Sequence, residues 1–156
     1  SLFDTNNFLM HRRLSLIEYS AFFGSIQIFK YLQQNNVELN DNLWRYAVHS
    51  NNPEMIHILE ENHIKVDSYN CNYCYEDSIS CYHNEIANYI KDNLPLKLRN
   101  DQAYLLDYHN YDFLPNNISD KSLFSDLCRY DYLMLVSSMI SDLSENELNQ
   151  ILFKIF

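Results

Sequence analysis

The chain has 156 residues, 47% of them apolar, and a formal charge of −10. That length supports one continuous core or roughly four or five stacked units. The negative charge argues against a nucleic-acid or anionic-membrane surface and would attract a protein partner with a basic face, a plain solubilising surface being the simpler reading; the single glycine excludes dinucleotide folds, P-loops and nucleophile elbows, which need several.

Hairpin-rich β architectures are disfavoured for the same reason, because their tight turns favour glycine. No uninterrupted apolar run is long enough to span a bilayer. Four unevenly placed cysteines, with no secretory signal beside them, are expected to be free thiols in the cytoplasm. The first residue is Ser1, not methionine, so the chain is expected to be a fragment of a longer protein.

Residues 1–13 read as a lead-in, with Asp4 or Thr5 capping a turn that carries Phe8 and Leu9. His11, Arg12 and Arg13 form a small basic knot, best read as a solvated linker. From there one unit is written twice, over 15–40 and 42–67. At an offset of 27, Tyr19 meets Tyr46, Gly24 meets Asn51, Gln27 meets Glu54, Ile28 meets Met55 and Leu32 meets Leu59. A fixed self-similarity of this length marks a stacked repeat array. Within the first unit, Leu16, Ile17, Ser20 and Ala21, then Ile28, Phe29 and Leu32, fall at helical spacing on two successive helices. Gly24 lies where the first helix must reverse into the second, and Asn51, its counterpart, also tolerates a left-handed backbone. Pro53 sits in the first turn of the following helix, where a missing N–H does no harm.

A third unit, 73–93, follows at an offset of 31, with Glu85, Ile86, Tyr89 and Ile90 matching Glu54, Met55, Ile58 and Leu59. The extra residues are assigned to a polar, cysteine-bearing connector over Ser68 to Tyr75. Its reversal falls on Tyr82, a residue poorly suited to a left-handed backbone. Residues 96–118 read as a degenerate unit that has lost its second helix: Ala103 to Tyr108 is helical, and Phe113 to Asn117 is a loop. The pattern returns over 120–142, with Asp131 at the reversal. A final helix spans 144–156, announced by a Ser144/Glu147 capping box and a Leu143/Leu148 staple, with an apolar stripe of Leu148, Ile151, Leu152 and Ile155.

Helix, tight reversal, helix and a short apolar tail resemble the ankyrin repeat. That pattern runs two small residues, two variable ones, glycine, a polar residue, a spacer, glutamate and two aliphatics. It is met by Ser20-Ala21-Phe22-Phe23-Gly24-Ser25-Ile26-Gln27-Ile28-Phe29 and by Ala47-Val48-His49-Ser50-Asn51-Asn52-Pro53-Glu54-Met55-Ile56. A third copy is Ser78-Ile79-Ser80-Cys81-Tyr82-His83-Asn84-Glu85-Ile86-Ala87, and Val37 to Asn40 and Ile64 to Asp67 stand for the closing Ala-Asp-Val-Asn. Ser15 to Leu32, with Asn51 to Glu54 and Tyr82 to Ile90, is similar to divergent ankyrin-repeat proteins of parasitic protists, a group with no assigned biochemical activity. The first two units are about six residues shorter than the usual 33, and the Thr-Pro-Leu-His start is absent. The loss falls between Asn40 and Asn42, where the family builds its β-finger. The resemblance implies a single all-α domain over 1–156, an ankyrin-like helical-hairpin solenoid with shortened or absent β-fingers.

In that family the two variable residues before each reversal often face the concave groove and contact partners. Here they are Phe22 and Phe23, His49 and Ser50, Ser80 and Cys81, and Arg129 and Tyr130. Aromatics, histidine and arginine in such a ladder have the composition of interface hot spots. The expected function is therefore protein binding through the concave face, with neither catalysis nor a cofactor. Trp44, Tyr46 and Tyr19, at inward positions, are read as packing between repeats, not cofactor stacking. Two alternatives stand beside this: a structural spacer in a longer chain, and a zinc-stabilised domain using Cys71, Cys74, Cys81 and His83, four ligand-type residues spaced C-x2-C-x6-C-x-H. No nucleophile–base pair at a telling spacing emerges, so no catalytic residue is assigned.

Overall fold

The computed structural model describes residues 13–97, 103–114, 121–142, 144–146 and 149. Among them lie nine α-helices and one 3-10 turn, with no strand. None of these helices is long and apolar enough to cross a membrane. The lead-in turn around Asp4 to Leu9, the loop residues after Leu114 and most of the expected final helix lie outside the described residues. The chain divides into two compact units, Ser1–Lys97 and Leu98–Phe156.

The first unit consists of three helical hairpins. Helix α1 (Leu16–Phe22) starts at Ser15, whose backbone N–H and hydroxyl both donate to the Glu18 carboxylate at 2.7 Å, satisfying donors that a helix start leaves open. It reverses into α2 (Ile26–Gln34). The second hairpin is α3 (Leu43–His49) and α4 (Pro53–Glu61), the latter capped by Asn52, whose side chain accepts from Glu54 N–H at 3.0 Å. The third is α5 (Ser68–Ser80) and α6 (Asn84–Asn93).

Each reversal uses one device. Gly24, Asn51 and Tyr82 have φ of 61°, 49° and 59°, the left-handed region that is costly for a side chain other than glycine, asparagine or aspartate. Ser25 N–H then donates to Ser20 O at 2.8 Å and His83 N–H to Ser78 O at 2.9 Å, closing carbonyls that the helix end leaves open. Tyr82 adopts this backbone in spite of its bulk. The second helices of the first two hairpins end alike, at Asn36 and His63 with φ of 57° and 54°. Segments 37–40 and 64–67 are neither helix nor strand.

One expectation is corrected. Ser68 to Tyr75 is not a connector but the first two turns of α5, which runs 13 residues. Asp67 caps it, accepting from Asn70 N–H at 2.7 Å, and Cys71, Cys74, Tyr75, Ser78 and Ile79 recur at helical spacing on its buried face. The longer offset of the third unit is therefore a lengthened first helix.

The first helices pack directly on one another, α1 on α3 and α3 on α5, whereas the backbones of the second helices stand further apart. Ile17, Phe29, Leu43, Trp44, Met55, Leu59, Ile79 and Ile90 fill the space between the two rows. Burying a residue such as Phe29 contributes about 1.5–3 kcal/mol. Trp44 is buried and its indole N–H donates to Ile64 O at 2.7 Å, so it is packing material, as the sequence implies. Tyr46 is buried beside it in α3, while Tyr19 in α1 is half-buried. Polar slots after each reversal tie neighbouring hairpins. Asn52 donates its amide to Gly24 O at 3.3 Å, and His83 Nδ1 donates to Val48 O at 2.8 Å.

The second unit has α7 (Ala103–Asp107), a 3-10 turn (Tyr111–Phe113), α8 (Lys121–Arg129) and α9 (Leu133–Asp142). Leu106, Phe124 and Leu127 form its core, flanked by Leu114, Tyr132, Leu135 and Val136. His109, with φ of 55°, makes the reversal after α7, and the 3-10 turn occupies the place of a second helix. Asp131, with φ of 60°, makes the reversal between α8 and α9, where Tyr132 N–H donates to Leu127 O at 3.0 Å.

Candidate functional interface

The ladder residues of the first unit are brought together, but most of them are covered. The Phe22 ring is buried and stacks on His49, their centroids 5.1 Å apart. The His49 side chain is only 9% exposed. Its Nδ1 lies 3.4 Å from the Cys81 sulfur, and its Nε2 faces Asp77 Oδ2 at 3.9 Å. Ser50 and Ser80 turn their hydroxyls onto their own helices, donating to Ala47 O at 2.6 Å and Asp77 O at 2.8 Å. Such back-bonding satisfies a hydroxyl that the backbone would otherwise leave half-dry. Phe22, His49 and Cys81 therefore form a seam joining three consecutive hairpins.

Phe23 is different. It is 61% exposed, stacks on Tyr19 at 6.1 Å and meets Phe22 edge-on at 5.1 Å. From the seam the surface continues across Asp77. The Arg45 Nη2 and Nε atoms both reach Asp77 Oδ2, at 2.7 and 2.8 Å, with each side chain 18% exposed. The Arg45 guanidinium also lies over the Tyr73 ring, 4.8 Å from its centroid, a cation–π contact. Tyr73 in turn donates its hydroxyl to Tyr69 at 2.9 Å, and Tyr69 is 67% exposed. That hydrogen bond raises the Tyr73 phenol above its ordinary value. A row of contacts thus runs from Tyr19 and Phe23 on α1, through the covered Phe22, His49 and Asp77, to Arg45 on α3 and Tyr73 and Tyr69 on α5. Arg45 is held by Asp77 and Tyr73 together, so this part of the surface is ordered in advance of any contact.

Arg45, Asp77, Tyr69 and Tyr73 were not among the sequence-derived candidates. The last three lie on α5, whose first two turns were read as a connector, so its helical register was not carried back from Ser80 to them. A helical count back from Ser80 would have placed Tyr69, Tyr73 and Asp77 on one face.

Arg129 and Tyr130, in the second unit, are exposed at the end of α8. Arg129 lies 3.6 Å from Asp126, and Tyr130 donates its hydroxyl to Asp107, a bond that raises the phenol above its ordinary value.

The Cys/His set does not assemble. Cys71 and Cys74 are buried on the inner face of α5, Cys81 adjoins His49, and the His83 Nδ1 is taken by Val48 O. Among the described residues no group of three His, Cys, Asp or Glu side chains is arranged to hold a metal ion. Cys81, His49 and Asp77 stand in the order of a thiol, an imidazole and a carboxylate. Burial, however, pushes the Cys81 thiol up from its ordinary value, so the resting group is a protonated thiol and a poor nucleophile. No family model, curated protein or solved structure matches the chain.

Proposed function

We propose that the first unit is a stack of ankyrin-like repeats that binds a protein partner through the concave face formed by its first helices. The observation that carries this reading is the row of contacts from Phe23 through Arg45 to Tyr69, which leaves one large aromatic ring exposed at each end and a preordered arginine between them. Aromatics and arginine are the residues that dominate interface energies. Tight packing of the first helices with more widely separated second helices gives the curvature that makes such a face concave. The charge of −10 supports a protein with a basic face over nucleic acid. The four free cysteines fit a reducing compartment such as the cytoplasm.

The experiment is a photo-crosslinking capture from the source cells with a benzophenone residue placed at Ser50, in the intact chain and in a Phe23→Ala/Tyr69→Ala variant. Capture of a discrete partner is expected to vanish in the variant while its unfolding free energy in urea stays within about 0.5 kcal/mol of the parent, since both rings are exposed. Phe22→Ala, at the buried seam, is expected to cost about 3–5 kcal/mol of stability instead. Unchanged capture by the double variant would reject the aromatic face and leave a spacer role.

A further inference from the structure

The second helices of the second and third hairpins leave a groove between them, on the opposite side from the aromatic face. Its volume is about 300 Å³, at the lower end of ligand pockets and suited to one or two side chains. Ile56 and Ile86, both nearly buried, form an aliphatic floor, and the Tyr89 ring lines one wall.

The rim is acidic. Glu60 and Glu85 line it, and the only basic side chain in the lining is His57, which faces Glu60 at 4.0 Å and Glu61 at 3.2 Å. Lys30 on α2 is taken by Glu54 at 3.1 Å, and Lys91 on α6 does not line the groove. Tyr89 donates its hydroxyl to Glu60. Burial first, then that bond and the carboxylate charge, push the Tyr89 phenol up to about 12. Tyr89 therefore remains a neutral donor to one Glu60 oxygen, and the other Glu60 oxygen faces His57.

An apolar floor under a carboxylate rim is complementary to a side chain with an aliphatic stem and a cationic head. We infer that this groove is a second docking site, one that takes an arginine next to an aliphatic residue in an extended segment of a partner protein. Arginine fits better than lysine, because a planar guanidinium pairs with a carboxylate through two parallel hydrogen bonds and stacks on a tyrosine ring. The inference does not rest on the concave-face reading: the two surfaces share no residue.

The test is methyl NMR on the full chain with labelled isoleucines, titrated with the synthetic peptide Leu-Arg-Leu-Arg-Leu and with Leu-Glu-Leu-Glu-Leu as control. The expected result is movement of the Ile56 and Ile86 methyl signals with the arginine peptide alone. Glu60→Gln with Glu85→Gln is expected to weaken binding by about tenfold, as loss of two charge-assisted contacts requires. Should Glu60→Gln unsettle the helix pair, Glu85→Gln alone, at an exposed position, is expected to weaken binding by about threefold. Still methyl signals at Ile56 and Ile86, equal response to the acidic peptide, or unaltered affinity in both variants would each overturn the proposal.

Discussion

Gly24 and Tyr82 sit at equivalent reversals with nearly the same φ, 61° and 59°, yet one residue suits that backbone and the other does not. Exchanging their chemistry should therefore move stability in opposite directions. In Gly24→Ala the new Cβ would lie 3.2 Å from both Cβ and Nδ2 of Asn52 and 3.3 Å from the Ser50 Cβ. Left-handed strain costs about 1–2 kcal/mol. Displacing Asn52, whose amide donates to Gly24 O and whose oxygen caps α4, costs about 1 kcal/mol more. The expected loss is about 2–3 kcal/mol. Tyr82→Gly releases the same strain and is offset by about 0.5–1 kcal/mol of added chain freedom in the unfolded state. Tyr82 is 57% exposed, so the covered part of its ring offsets some of the released strain, and a net gain of at most about 0.5 kcal/mol is expected. Urea unfolding followed by fluorescence of Trp44, the single tryptophan and a core residue of this unit, reads both variants. With a slope of about 1–2 kcal/mol per molar urea, the midpoints should part by roughly 2 M. Coincident midpoints, or shifts of the same sign, would refute a shared left-handed reversal as the element that repeats.

The Arg45–Asp77 pair should be energetically coupled, because both side chains are mostly covered and each loses a charged contact at 2.7 Å when the other is removed. A double-mutant cycle of Arg45→Met and Asp77→Ala is expected to give about 1–3 kcal/mol of interaction energy in urea unfolding; additive single effects would reject the coupling. The thiols should react in order of access. With N-ethylmaleimide at neutral pH, exposed Cys128 is expected to label first and buried Cys71 and Cys74 only on unfolding, and equal labelling of Cys71 and Cys128 would count against the assigned burial. Burial, with Asp67 adding to it, raises the Cys71 thiol from 9.0 to about 11. The native chain thus holds that proton longer than the unfolded one. Its stabilising contribution is complete below about pH 9 and is lost as pH rises toward about 11. A Cys71→Ser or Cys71→Ala chain should lose less stability across that window, and an identical pH profile would show that the thiol is not responsible.

The hairpins over 15–40 and 42–67 were legible because their signals are local. Apolar residues at 3.6 spacing, a left-handed-tolerant residue at 24 and 51, and Pro53 in a first turn need no distant partner to be read. The start of α5 was not legible. Ser68 to Tyr75 is rich in Asn, Cys and Tyr, which are indifferent helix formers, and it becomes helix because Cys71, Cys74 and Tyr75 find the α3 side of the stack to bury against. Tertiary burial overrides weak propensity in this way. His49 shows the same division at the candidate interface, since its place in the ladder could be counted but its coverage by Phe22, Asp77 and Cys81 could not.

By itself, then, the amino-acid order determined that paired helices recur, where they reverse, and that no glycine-dependent phosphate site is present. Only the tertiary structure decided which ladder side chains are seam and which are surface, and that Arg45, Tyr69 and Tyr73 join Phe23 on one face. The reason is physical. Helix and turn are chosen by residues a few positions apart, whereas burial of a side chain depends on neighbours that sequence distance does not reveal.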